Sequence, residues 1–135
     1  MARADKTRAV DRAYAETRLS GARAFLQQAE ISLQLIDGTH RCPTVVSSAV
    51  LAGIAASDAA CGLALGMVSA GPHDQAVRLL NSVSGSTRAV RDLSRLVAMK
   101  TAAQYAGRSM VERQAEDAIR RARRLVRFAE SQRRR

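Results

Sequence analysis

The residues best placed to carry chemistry are arginines near the C-terminus. Four of them fall on one stripe of a helix at 3.6 residues per turn: Arg113, Arg120, Arg124 and Arg127. Such a row of guanidinium groups can contact successive phosphates of a nucleic acid, with an affinity that falls as salt rises. A solvated helix face, relieved by Asp117 within the stripe, accounts for the same pattern.

One carboxylate stands alone in an apolar segment. Asp58 is the only charged residue between Arg41 and His73. A buried carboxylate normally needs a partner, and Lys100 or a nearby arginine could supply it. We therefore expect either a structural ion pair or a polar site between the second and fourth helices.

Other familiar sites are not indicated. His40 and His73 fall in predicted loops, and Cys42 and Cys61 are neither paired at metal-ligand spacing nor part of a dense disulfide framework. The sequence has no Gly-rich phosphate loop and no Gly-x-Ser-x-Gly elbow. We predict no bound metal and no cofactor.

The chain is strongly basic, with 22 Lys and Arg against 12 Asp and Glu and a formal net charge of +10. This excess favours acidic partners, nucleic acid first, unless it serves solubility alone. Two Tyr, two Phe and no Trp leave few rings on which bases could stack, so contacts to the backbone should dominate.

The cellular location is predicted from cysteine usage and from the apolar segment. Two separated cysteines and the absence of a signal-peptide pattern predict a cytoplasmic protein. The most apolar stretch, residues 45–68, contains Asp58 near its middle, which is costly inside a bilayer. No membrane span is therefore expected.

Apolar spacing predicts an all-α fold, a single domain over residues 1–135 whose basic tail at 131–135 frays. The first helix should run from about Asp5 to Ile36 and end at Asp37-Gly38, with Pro43 barring continuation. Residues 44–68 are apolar nearly all round and rich in Ala and Gly, which predicts a central helix surrounded by the others.

Three further helices complete the prediction. A turn at residues 69–72 precedes a short third helix, and Ser86 or Thr87 could cap a fourth. Ser109 and Glu112 have the spacing of a capping box, which predicts the start of the last helix after Gly107. The residues expected to face inward are Val77, Leu80, Val83, Val90, Leu93, Val97, Val111, Ala115, Ala118, Ala122, Leu125 and Ala129. No segment alternates with period two, so no sheet is predicted.

The helix order resembles the HEPN superfamily over about residues 10–130. A long first helix is followed by a small-residue helix carrying Ser57-Asp58, a short third helix and two more. The sharpest local similarity is Lys100 followed five residues later by Tyr105. The resemblance implies a five-helix up-and-down bundle, a homodimer, and a polar site whose members would be Lys100, Gln104, Tyr105 and Arg108.

The same resemblance bears on activity. Many such proteins are RNases or RNA-binding partners in toxin–antitoxin or phage-defence systems. The ribonuclease members carry an Arg, four to six residues and then a His, whereas no Arg stands at that distance before His40 or His73. Gln104, near the expected His position, cannot act as a general acid or base at neutral pH.

Three functions follow as hypotheses. The first is a non-catalytic HEPN-like module that binds nucleic acid, RNA in preference to DNA, or a partner protein. The second is a HEPN-type RNase toxin with a non-standard site at Lys100, Tyr105 and Arg108. The third is an assembly protein that docks on an acidic partner.

Overall fold

The computed structural model describes residues 5–105 and 110–134. Within these residues the fold is mostly helical, with five helices packed as a bundle and a two-stranded sheet. The helices are α1 (Arg12–Leu35), α2 (Arg41–Leu65), α3 (His73–Asn81), α4 (Thr87–Tyr105) and α5 (Glu112–Ser131). The strands are β1 (Thr7–Ala9) and β2 (Met67–Ser69), and a single 3-10 turn, Gln132–Arg134, follows α5.

Helix α2 packs against α1, α4 and α5, and most of its residues are buried. Its glycines lie where neighbouring helices come closest. A Cβ added at Gly53 would lie 2.6 Å from Leu96 Cδ1, and one at Gly62 would lie 2.9 Å from Ala15 Cβ. Because these positions lack side chains, α1 and α4 can approach the α2 backbone.

The prediction of a chain without strands is wrong, because β1 and β2 pair antiparallel with Arg8 opposite Val68. Residues 5–11 are therefore not helical, and α1 begins later than the predicted Asp5. Its first turn is capped by Asp11, whose Oδ1 accepts a hydrogen bond of 2.8 Å from the backbone N–H of Tyr14.

The limits of α2 also differ from the predicted 44–68. Pro43 lies in the first turn of α2, where its missing N–H costs no helical hydrogen bond, so the helix begins at Arg41. Gly66 adopts φ 69° and ends the helix, which releases the following residues into β2. The predicted break near Gly38 is confirmed, since α1 ends at Leu35 and Gly38 has φ 85°.

The later helices show three more corrections. His73, predicted in a loop, is the first residue of α3. Ser109 lies outside the described residues, and α5 starts at Glu112, where the backbone N–H of Val111 donates to Gln114 Oε1 at 2.9 Å. Val111 itself, predicted to be buried, is 57% exposed.

The remaining inward positions on α5 are buried as predicted. Along the tail that was expected to fray, Gln132 is buried and Arg133 forms an ion pair with Glu16 of α1. The last helical segment is thereby attached to the first helix.

Gly62→Ala should lower the free energy of unfolding by about 1 kcal/mol or more, because the clash with Ala15 outweighs the better helix propensity of Ala. Gly21→Ala is the matched control inside α1, where an added Cβ meets nothing within 4 Å. It should raise that free energy by about 0.5–1 kcal/mol. Urea denaturation measures both, and equal effects at the two positions would contradict the close-packing argument.

Candidate nucleic-acid interface

Helices α4 and α5 lie side by side and run in opposite directions, and two cavities open along the seam between them. The Phe128 cavity, about 420 Å³, lies between the start of α4 and the end of α5 and is lined by Arg88, Arg124, Arg127 and Phe128, among others. The Arg113 cavity, about 370 Å³, lies between the later part of α4 and the start of α5. Its charged lining residues are Arg95, Arg113, Asp117 and Arg120.

Helix α4 contributes a row of arginines that the sequence analysis missed. Arg88, Arg91 and Arg95 are exposed and follow steps of three and four residues, which places them on one face of the helix. Among the residues that the structure describes, no carboxylate lies within ion-pair distance of any of them. The signal was present in the sequence as the spacing of the three arginines.

The four predicted arginines of α5 divide into two pairs. Arg113 and Arg127 are exposed and form no ion pair with a described carboxylate. Arg120 is paired with Asp117 at 3.0 Å, and Arg124 is held by Asp92 of α4. Two of the four predicted arginines therefore form ion pairs with carboxylates of the protein itself.

Asp92 is the second feature that the sequence analysis missed. Its side chain is 1% exposed and accepts hydrogen bonds from Arg124 Nε and Nη2 at 2.9 and 2.6 Å and from Arg121 Nη1 at 3.0 Å. Arg121 also donates to Asp117 at 2.9 Å. The bond from Arg124 to Asp92 raises the pKa of that guanidinium, so its charge persists at any working pH.

The network around Asp92 joins α4 to α5 and separates the two cavities. On either side of it stand five exposed arginines without a carboxylate partner in the described part of the chain, which we call the α4–α5 arginine surface: Arg88, Arg91, Arg95, Arg113 and Arg127. Guanidinium groups on both helices can donate paired hydrogen bonds to phosphates lying along the seam.

Asp58 forms an ion pair with a residue that the sequence did not single out. Arg18 Nη2 of α1 lies 3.0 Å from Asp58 Oδ2. Burial raises the pKa of Asp58, and the charge of Arg18 opposes that shift. The partner is therefore an arginine, one of the two expected types. Lys100, the other, lies 3.3 Å from His73 Nε2, so the carboxylate joins α1 to α2 rather than α2 to α4.

The predicted polar site is only partly described. Gln104 and Tyr105 belong to the last turn of α4, but their side chains and all of Arg108 lie outside the described residues. Lys100 contacts α3 through His73 and lies on a different face of α4 from Arg88, Arg91 and Arg95. The structure therefore separates Lys100 from the arginines of α5.

A metal site and a membrane-spanning helix are two further possibilities for the described residues. No group of three His, Cys, Asp or Glu side chains is arranged to hold a metal ion there. Helix α2 is long and apolar enough to cross a membrane, but 67% of its most apolar window is buried, as in the core helix of a globular bundle. That pattern is weak evidence for or against a membrane location.

The fold and the surface define a class: a mostly helical five-helix bundle with a basic face on its last two helices. Comparison with models of known protein families and with curated proteins gave no match.

Asp92→Asn should lower the free energy of unfolding by about 2 kcal/mol or more, because two guanidinium groups lose a buried counter-charge. Asp74→Asn is the control, since Asp74 forms an exposed pair with Arg78 at 3.3 Å within one helix. Its effect should stay below about 0.5 kcal/mol. Urea denaturation compares the variants, and similar losses would show that the Asp92 network is not a main support of the seam.

Asp58 and Glu16 should respond to pH with opposite signs. Because burial raises the pKa of Asp58, the folded state holds its proton more tightly, so its contribution to stability falls as pH rises above the unfolded value of 3.8. The free energy of unfolding of Asp58→Asn, measured relative to that of the parent, should therefore increase as pH rises from about 3.5 to 7.

Glu16 provides the comparison. The hydrogen bond from Arg133 lowers the pKa of Glu16, so its contribution is present above the unfolded value of 4.5 and is lost as pH falls. The free energy of unfolding of Glu16→Gln, measured relative to that of the parent, should decrease as pH rises over the same interval. Denaturation curves at several pH values test both signs, and parallel curves for Asp58→Asn and the parent would contradict the burial argument.

Proposed function

We propose that this protein is a non-catalytic module that binds the phosphate backbone of nucleic acid through the α4–α5 arginine surface. The observation that carries the proposal is the presence of five arginines without carboxylate partners in the described chain on two adjacent helices. Arginine binds phosphate with two parallel hydrogen bonds, and its charge does not depend on pH.

The spacing of the arginines supports contact with an extended polyanion. Arg113 and Arg127 are 14 residues apart in one helix, a rise of about 21 Å at 1.5 Å per residue. One small anion cannot reach both ends of such a row, whereas successive phosphates of a strand can. When several phosphates are contacted, the affinity should fall steeply as the salt concentration rises.

The resemblance to the HEPN superfamily supports RNA rather than DNA as the bound nucleic acid. It also supports a more specific description of the fold. We propose a HEPN-like up-and-down bundle that acts in the cytoplasm as a homodimer, in a toxin–antitoxin or phage-defence system. The lack of the Arg-x4–6-His pattern supports binding without cleavage, because hydrolysis by that route needs a histidine as acid or base.

A second candidate is an RNase with a non-standard site. The observation in its favour is the contact of Lys100 Nζ with His73 Nε2 at 3.3 Å, which places an imidazole beside an amine. Cleavage of RNA that is lost in His73→Gln and Lys100→Ala, but retained in arginine variants at saturating RNA, would favour this candidate. A partner protein with an acidic surface could occupy the arginine surface as a third candidate.

The test of the main proposal is the fluorescence anisotropy of labelled RNA and DNA oligonucleotides titrated with the protein at several salt concentrations. Arg113→Gln/Arg127→Gln should weaken binding and make the slope of log K against log salt less negative by about 1.4, from two contacts of about 0.7 each on a single strand. Gel analysis of the same RNA should show no cleavage.

The control removes equal charge elsewhere. Lys6→Gln/Arg8→Gln changes two basic residues at the β1 end of the molecule, where Arg8 lies 4.9 Å over the ring of Tyr14. Its affinity and salt slope should match those of the parent. Equal losses of affinity in both double variants would show that binding depends on net charge and not on the arginine surface. Absence of binding at low salt would exclude the nucleic-acid proposal.

A further inference from the structure

The Phe128 cavity combines cationic and aromatic side chains, a combination that the rest of the described seam lacks. It brings the guanidinium groups of Arg88 and Arg127, which pair with no carboxylate among the described residues, together with the half-buried aromatic ring of Phe128. Gly85 and Ala89 add little bulk to its wall, and its volume of about 420 Å³ lies within the usual range of small-molecule sites, about 300–1,000 Å³.

The one carboxylate in the lining does not neutralise these two arginines. Both oxygens of Asp92 already accept hydrogen bonds from Arg121 and Arg124. Counted with Asp117, the network has three guanidinium groups, of Arg120, Arg121 and Arg124, for two carboxylates. Arg88 and Arg127 therefore remain available to an anion that enters the cavity.

The aromatic ring distinguishes this cavity from the Arg113 cavity. Among the residues that the structure describes, the Arg113 cavity is lined by three arginines and Asp117 but by no aromatic side chain. Phe128 offers an apolar surface beside cations, the combination that single-strand binding proteins use to hold a base next to its own phosphate. Bases in a duplex are stacked inside the helix and cannot reach such a ring.

Resting on the function proposed above, we infer that the Phe128 cavity takes one nucleotide of single-stranded RNA. The phosphate is bound by Arg88 and Arg127, and the base packs against Phe128. The Arg113 cavity then binds the backbone of the same strand. The protein should accordingly bind a single strand more tightly than a duplex of the same sequence. A surface that contacts phosphates alone would not show this preference.

The absence of tryptophan from the sequence provides a direct probe. Phe128→Trp introduces the only tryptophan of the sequence into the cavity. Stacking of a base on the indole should quench the tryptophan emission when a single-stranded oligonucleotide of about eight nucleotides is added. Phe25→Trp, on α1 and outside the lining of the cavity, should give no quenching at equal occupancy, measured by anisotropy of the labelled RNA.

Affinity measurements complete the test. Phe128→Leu keeps an apolar side chain but removes the ring, and should weaken single-strand binding at least about 5-fold while the salt slope and duplex affinity stay unchanged. Arg88→Gln should weaken single-strand binding more than Arg91→Gln, because Arg91 carries the same charge on the same helix but does not line the cavity.

The outcomes separate this inference from the function on which it rests. If RNA binds and depends on Arg113 and Arg127, but Phe128→Trp is not quenched and single strand and duplex bind equally, the inference is wrong and the proposed function stands. If no nucleic acid binds at low salt, both are wrong. Should Phe128→Leu fail to fold, as judged by circular dichroism, the quenching of Phe128→Trp still decides between these results.

Discussion

The buried carboxylate of Asp92 is the interaction on which the basic surface depends. An isolated charge in the interior is strongly unfavourable, so Asp92 requires its hydrogen bonds from Arg121 and Arg124. These bonds fix α5 against α4 in position and in rotation about its axis. Because the rotation is fixed, Arg113 and Arg127 of α5 face the same seam as Arg88 and Arg95 of α4.

Close packing beneath the seam makes this arrangement possible. An added Cβ at Gly53 of α2 would meet Leu96 of α4 at 2.6 Å and Leu125 of α5 at 3.3 Å, so both outer helices rest on the same glycine. A small residue at the centre lets α4 and α5 come close enough for Asp92 to reach two arginines of the other helix. The packing of Ala and Gly inside the bundle and the chemistry of its surface are therefore linked.

Sequence reasoning located the helices well, because their apolar residues recur with the helical period over many turns. It could not find the strands, since three-residue segments such as Thr7–Ala9 are too short for alternation to be recognised, and each needs a partner about 60 residues away. The arginine stripe of α5 was visible for the same periodic reason. The partners of Arg124 and Asp58 were not, because ion pairs between helices depend on how those helices rotate and pack.

The distribution of charge argues that the basic surface is more than a means of solubility. Several carboxylates elsewhere in the molecule are paired with arginines across elements, as in Asp5 with Arg78, Glu16 with Arg133 and Glu130 with Arg23. Those pairs join parts of the chain that are far apart in the sequence. A chain that needed charge only to stay dissolved would gain equally from arginines on any face. Here five arginines without carboxylate partners in the described chain stand on α4 and α5, and four of them line the two cavities of the seam. Such local concentration raises the electrostatic potential where a polyanion could bind.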